Sequence, residues 1–179
     1  RQRIANAAVE AGRLPQDITL VAVSKTFEAS AIEPVIAAGQ RIFGENRVQE
    51  AEGKVDALPG VTWHLVGPLQ SNKARRALET FDVIQTVDSI GLAERLDRLA
   101  REVRGAGPAS RYAVLLQVNV DDDPSKAGFA PGQLQGALDA MAGLDALDVR
   151  GLMTIGRLVA DPEAARPTFA HLRGISEEL

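Results

Sequence analysis

The stretch Ile18-Thr-Leu-Val-Ala-Val-Ser-Lys25 decides how the chain is read. Successive strand side chains alternate between faces, so Val21, Val23 and Lys25 share one side, and the opposite side, Leu20 and Ala22, is apolar too. A strand apolar on both faces is expected inside a parallel sheet, and this one ends on a primary amine. Burying an unpartnered ammonium is costly, so Lys25 is expected to be paired, neutralised or chemically employed. A neutral, partly desolvated lysine is a good nucleophile toward an aldehyde. The competing reading is an exposed lysine just past the strand, or one paired with Glu28 or Glu45.

Outward from this stretch, strand-like and helix-like segments alternate. An amphipathic helix carrying Ile4, Ala8 and Ala11 and ended by Gly12 comes first. Strands are expected at Ile18–Ser24, Arg41–Gly44, Thr62–Val66, Val83–Val87, Tyr112–Val118 and Val149–Thr154. Apolar residues at three- and four-residue spacing mark helices between them, for example Leu92, Leu96, Leu99 and Val103. Strands alternating with helices imply parallel crossovers, which leaves an open doubly wound sheet or a closed eight-stranded barrel. The first strand–helix turn, Ser24-Lys-Thr-Phe-Glu28, lacks the glycine-rich dinucleotide fingerprint that an open sheet often carries. A complete (β/α)8 barrel takes about 250 residues, so in a barrel reading of these 179 the last two strands are absent. The chain reads as a single domain, 1–179, and its start at Arg1 suggests part of a longer protein.

A net charge of −4 argues against nucleic acid or an anionic membrane as the main partner, because both favour basic patches. Small molecules become the default ligand class. Without cysteine there is neither a disulfide framework nor a thiolate metal site, and no long apolar span is visible, so a cytoplasmic location is the simplest expectation.

In either architecture ligands gather at the carboxyl ends of the strands. Asn46, after Phe43-Gly-Glu, fits a capping box with Gln49, and its amide could also meet a ligand, with Gly44 allowing close approach. Gly67-Pro-Leu-Gln-Ser-Asn-Lys-Ala74 imitates a phosphate loop, but Asn72 stands where the second glycine belongs and Ala74 where the magnesium hydroxyl belongs, which disfavours a nucleotide. His64 lies inside a strand and reads first as a hydrogen-bonded core histidine. Asp121-Asp-Asp-Pro124 reads as a solvated turn before a magnesium site, and Met153 as core filling or as a soft apolar surface for a flat ring.

Taken in order, Val21-Ala-Val-Ser-Lys-Thr26, Phe43-Gly-Glu-Asn46 with Val48-Gln-Glu50, Trp63-His64 with Gly67-Pro-Leu-Gln-Ser-Asn-Lys73, Ser125-Lys126 with Gly128-Phe129, and Gly151-Leu-Met-Thr-Ile155 resemble the YggS/PROSC family of pyridoxal phosphate homeostasis proteins. The resemblance implies an α/β fold, a (β/α)8 TIM barrel of the alanine racemase N-terminal type. It also implies pyridoxal 5′-phosphate (PLP) as cofactor, held as a Schiff base by the residue matching Lys25. The blocks supply a cofactor-binding set of Lys25, Asn46, His64, Gly67 and Met153, with no catalytic residue and no metal ligand. In the family the phosphate-binding serine and glycine segment, and an arginine-containing strand near the pyridine nitrogen, would lie beyond Leu179.

The implied role is capture of the cofactor and its delivery, with apo PLP enzymes as partners and a monomer as the expected state. The alternatives are an amino-acid racemase or a class I aldolase using the same lysine, and an interaction protein in which Lys25 is inert. A racemase needs a second proton-transfer group on the opposite face, and the sole tyrosine, Tyr112, begins a strand at the wrong end for that role.

Overall fold

The computed structural model describes residues 1–105 and 107–179. Helix α1 (Gln2–Glu10) precedes six strand–helix units: β1 (Ala22–Val23), α2 (Ala29–Ala37), β2 (Ile42–Glu45), α3 (Val48–Ala57), β3 (Thr62–Leu65), α4 (Ala74–Thr80), β4 (Val83–Val87), α5 (Ile90–Arg104), β5 (Tyr112–Gln117), α6 (Leu134–Met141), β6 (Leu147–Met153) and α7 (Arg166–Glu178). Every pairing is parallel and the strands run in the order β1-β2-β3-β4-β5-β6. That order decides between the two architectures. A doubly wound sheet reverses direction at a switch point, whereas a sequence of neighbours that never doubles back is the winding of a (β/α)8 barrel. Among the described residues β1 and β6 are the two edges of the sheet.

One face of the sheet is dry. Phe43, Trp63, Leu65, Ile84, Val114 and Leu116 are buried there in one cluster with the apolar stripes of the helices, and the Phe43 and Trp63 rings pack 5.7 Å apart. The opposite, inner face carries Val21, Gly44 and Val66 together: a methyl added to Gly44 would sit 3.2 Å from a methyl of each valine. Alternation then puts Ile42, Asn46 and His64 on that inner face as well.

The register of β6 slips against β5 between Val114 and Leu116. Val149 pairs with Val114 but Leu152 pairs with Leu116, so β6 carries one extra residue across the same span, and Gly151 there has φ +146°, a conformation open essentially to glycine alone. The bulge changes which face the strand's end presents. Val149 and Leu152 both pack toward the core, and Met153, opposite Gln117, turns inward.

The expected first strand is corrected. Regular pairing covers only Ala22–Val23 within the predicted Ile18–Ser24, and Leu20 and Val23 are 42% and 51% exposed. Among the described residues β1 pairs with β2 alone, and Lys25 follows a strand whose apolar residues are partly exposed there. The remaining strands fall within two residues of expectation at either end.

Candidate functional site

Lys25 sits just past β1 in a tight turn, Ser24 to Phe27, in which the Phe27 amide donates to the Ser24 carbonyl at 3.2 Å. It is solvent-exposed, and among the described residues it has no hydrogen-bond or ion-pair partner. Thr26 takes φ +70°, a left-handed conformation that costs a β-branched residue about 1–3 kcal/mol and persists only where surrounding bonds enforce it. Those bonds are present. The Ser24 amide donates to the Gly44 carbonyl at 2.9 Å, the Ser24 hydroxyl donates to Glu45 Oε1 at 2.7 Å, and Lys54 Nζ donates to the Ser24 carbonyl at 3.0 Å.

Glu45 is therefore not the partner of Lys25. It pairs with Lys54 at 2.7 Å, Glu45 being 0% and Lys54 7% exposed. Glu45 Oε2 is buried without a hydrogen-bond partner among the described residues. Deleting one member of such a pair leaves the other charge stranded, at a cost of about 3–5 kcal/mol. Sequence reasoning missed Lys54. The available signal was its place in the buried stripe Val48, Ala51, Lys54 of α3, where a lysine has to find an acid.

Asn46 does not cap α3. Arg47 occupies the cap position, no side chain there bonds to the helix, and the chain at Asn46 is instead pressed against Gly67. A methyl on Gly67 would lie 2.3 Å from the Asn46 carbonyl oxygen, so glycine at 67 is what lets the ends of β2 and β3 approach. The Gly67 carbonyl accepts from the Thr86 hydroxyl at 2.9 Å, which extends the bracing to β4. Beside Asn46 a cleft of about 710 Å³ opens between Arg47, Gln49, Gln70 and Lys73. The phosphate-loop imitation makes a single helical turn, Ser71–Lys73, that leads into α4.

His64 faces inward and lies 2.6 Å, Nδ1 to Nε2, from the Gln85 amide of β4. With that amide as donor, the neutral ring carries its proton on Nε2. Burial holds the His64 pKa below its ordinary value, with Asp82 pulling the other way. The structure sets Asn46 against Gly67 and His64 on the inner face of neighbouring β3, with Lys25 just past β1, whereas Met153 stands on the same face at the other end of the strand order.

The acidic run forms the expected turn. Asp123 accepts from the Ser125 amide and hydroxyl, which hold its carboxyl below the usual range, while Asp121 accepts from the Thr168 hydroxyl at 2.7 Å and ties the turn to α7. Lys126 donates to the Ile155 and Gly156 carbonyls at 2.9 and 2.7 Å, across the strand ends. No group of three or more His, Asp or Glu side chains among the described residues could hold a metal ion. None of their helices is long and apolar enough to cross a membrane.

The family model for the alanine racemase N-terminal domain matches residues 2–179. The pyridoxal phosphate homeostasis protein of Pseudomonas aeruginosa is 43% identical over 179 residues, covering 99% of this chain and 76% of its own length. The chain belongs to the pyridoxal phosphate homeostasis protein family. Its relative of that name in Escherichia coli K12 is 44% identical over 161 residues, 87% of this chain, and the match spans only 66% of that protein. Among solved structures, PipY of Synechococcus elongatus with PLP bound is 44% identical, with a TM-score of 0.79, covering 98% of this chain and 81% of PipY. Alanine racemase of Clostridium difficile, 14% identical with a TM-score of 0.75, shows that this family shares the racemase barrel fold and nothing further.

Proposed function

We propose that the chain binds pyridoxal 5′-phosphate through a Schiff base to Lys25. Its role would be intracellular vitamin B6 homeostasis, as carrier or regulator and without a catalytic reaction of its own. One observation carries the reading: an exposed amine, without a partner among the described residues, stands in a strained turn at the rim of a fold whose relative PipY has been solved with PLP bound.

The residues present fit the aldehyde and the ring of that group. When bound, the cofactor would supply an aldehyde, and Lys25 would be the residue whose free amine holds it. Asn46, backed by Gly67, borders the rim beside β1. His64, kept neutral by burial, offers its Nε2 proton on the inner face, and Met153 offers an apolar surface from β6. Release would need water or an incoming amine to take the place of Lys25.

Catalysis by racemisation needs a second acid–base group across the cofactor from Lys25. The Tyr112 hydroxyl does not serve, because it is buried and donates to the Phe81 carbonyl, and burial pushes its pKa well above the ordinary value. The protein acts in this reading as a cytoplasmic monomer of one domain, and apo PLP enzymes receive the cofactor.

The test is intact mass and absorbance of the protein mixed with PLP, before and after borohydride reduction. The wild type is expected to gain one reduced adduct mapped to Lys25, and Lys25→Ala to lose both adduct and absorbance while keeping its circular dichroism spectrum. An adduct of equal yield in the variant overturns the assignment.

A further inference from the structure

We infer that Glu45 and Lys54 are positioning residues for Lys25, locking the turn that presents its amine; the inference rests on the reading that Lys25 is the residue that takes the aldehyde. The distances meet at one peptide group. Lys54 Nζ lies 3.0 Å from the Ser24 carbonyl oxygen, and that carbonyl belongs to the same planar peptide as the Lys25 nitrogen. Glu45 Oε1 receives both Lys54 Nζ and the Ser24 hydroxyl at 2.7 Å, so every polar group of Ser24 is engaged before the chain enters the turn. The plane of the Ser24–Lys25 peptide is thereby fixed from behind, on the helix side, while Lys25 is left free in front.

Stability alone is a poor reason for this arrangement. A buried ion pair is repaid only when all its lone pairs and protons are satisfied, and Glu45 Oε2 has no partner among the described residues. An apolar pair of the same volume would fill the space between β2 and α3 without that deficit. What apolar side chains could not supply is a donor at the Ser24 carbonyl. The left-handed Thr26 makes the same point, because an unenforced turn would relax toward an ordinary conformation and swing Lys25 with it.

Two readouts test this, one of them independent of the cofactor. In Lys54→Met without PLP, hydrogen exchange at the Phe27 and Ser24 amides is expected to accelerate about tenfold or more relative to Val114 and Leu116 in β5. The rate at which PLP forms its borohydride-trapped adduct is expected to fall by a similar factor. Adding Thr26→Gly, which removes the left-handed strain, should return part of the adduct rate without rebuilding the ion pair. Ser24→Ala removes one bond and spares the pair, so it supplies a milder perturbation if Lys54→Met does not fold, with a smaller acceleration expected at Phe27. Unchanged relative exchange at Phe27 and Ser24 in the folded variant overturns the inference, as does faster exchange with an unaltered adduct rate. Should the wild type form no adduct at Lys25, the carrier reading falls by itself, and the exchange arm still decides whether the pair holds the turn.

Discussion

Replacing Gly67 with alanine is expected to disturb the rim directly through space. The new methyl would stand 2.3 Å from the Asn46 carbonyl oxygen, 2.6 Å from its Cα and 2.8 Å from its carbonyl carbon, all backbone atoms that no rotamer change can clear. To regain van der Waals separation the end of β2 must retreat by about 1 Å. The Val66 amide donating to the Glu45 carbonyl at 2.9 Å and the Thr86 hydroxyl bond to Gly67 both resist that movement. Overpacking of this kind costs about 1–3 kcal/mol. A central value of about 2 kcal/mol corresponds to a Tm lower by about 4–8 °C in a chain of this size, read by circular dichroism. If Asn46 borders the cofactor, displacing it by that distance should also weaken PLP about tenfold in an absorbance titration, the equivalent of one lost hydrogen bond. Two controls bracket the effect. Gly44→Ala meets only valine methyls at 3.2 Å, which can give way, so it should cost less, whereas Gly53→Ala in α3 meets nothing within 4 Å and should stabilise by about 0.5–1 kcal/mol. A Gly67→Ala protein with the parent Tm and the parent affinity would refute the idea that this close approach organises the rim.

Tyr112→Phe should lower the unfolding free energy by about 1–3 kcal/mol, read as a lower urea midpoint at unchanged slope, because it leaves the buried Phe81 carbonyl without its donor; an unshifted midpoint would mean that the hydroxyl contributes nothing. His64 supplies a pH dependence. Its pKa lies below the unfolded value of about 6.5, so between the two values the unfolded chain holds a proton that the folded chain lacks, and stability falls as pH drops through that window. Urea titrations at a series of pH values should therefore show a slope below neutrality that His64→Gln flattens, and identical slopes in the two proteins would contradict the assignment. Gly151→Ala should both destabilise the protein and disturb Met153, since φ +146° is closed to alanine, and a high-resolution structure of the variant with the bulge intact would count against that.

The placement of the candidate residues at strand ends could be read from the chain because it depends on local order. The position of Lys25 after the first strand, of Asn46 after the second and of Gly67 after the third follows from where apolar runs stop, and the turn at Asp121 to Asp123 follows from its composition. Lys54 was not legible in this way. Its importance comes from an acid nine residues earlier that shares neither strand nor helix with it, and only the packing of α3 on β2 brings the two to 2.7 Å.

By itself, then, the sequence determined the alternation of strands and helices and the residues that end each strand, since periodicity and side-chain chemistry act over a few neighbouring positions. Tertiary structure alone decided that the strands run in sequential order and that, among the described residues, β1 pairs with β2 alone. It also decided that a bulge turns Met153 inward and that Lys54 stands behind the Ser24–Lys25 peptide. The physical reason is shared by all four. Each depends on contacts between segments distant along the chain, and the free energy of such a contact belongs to the pair in its packed surroundings and to neither residue alone.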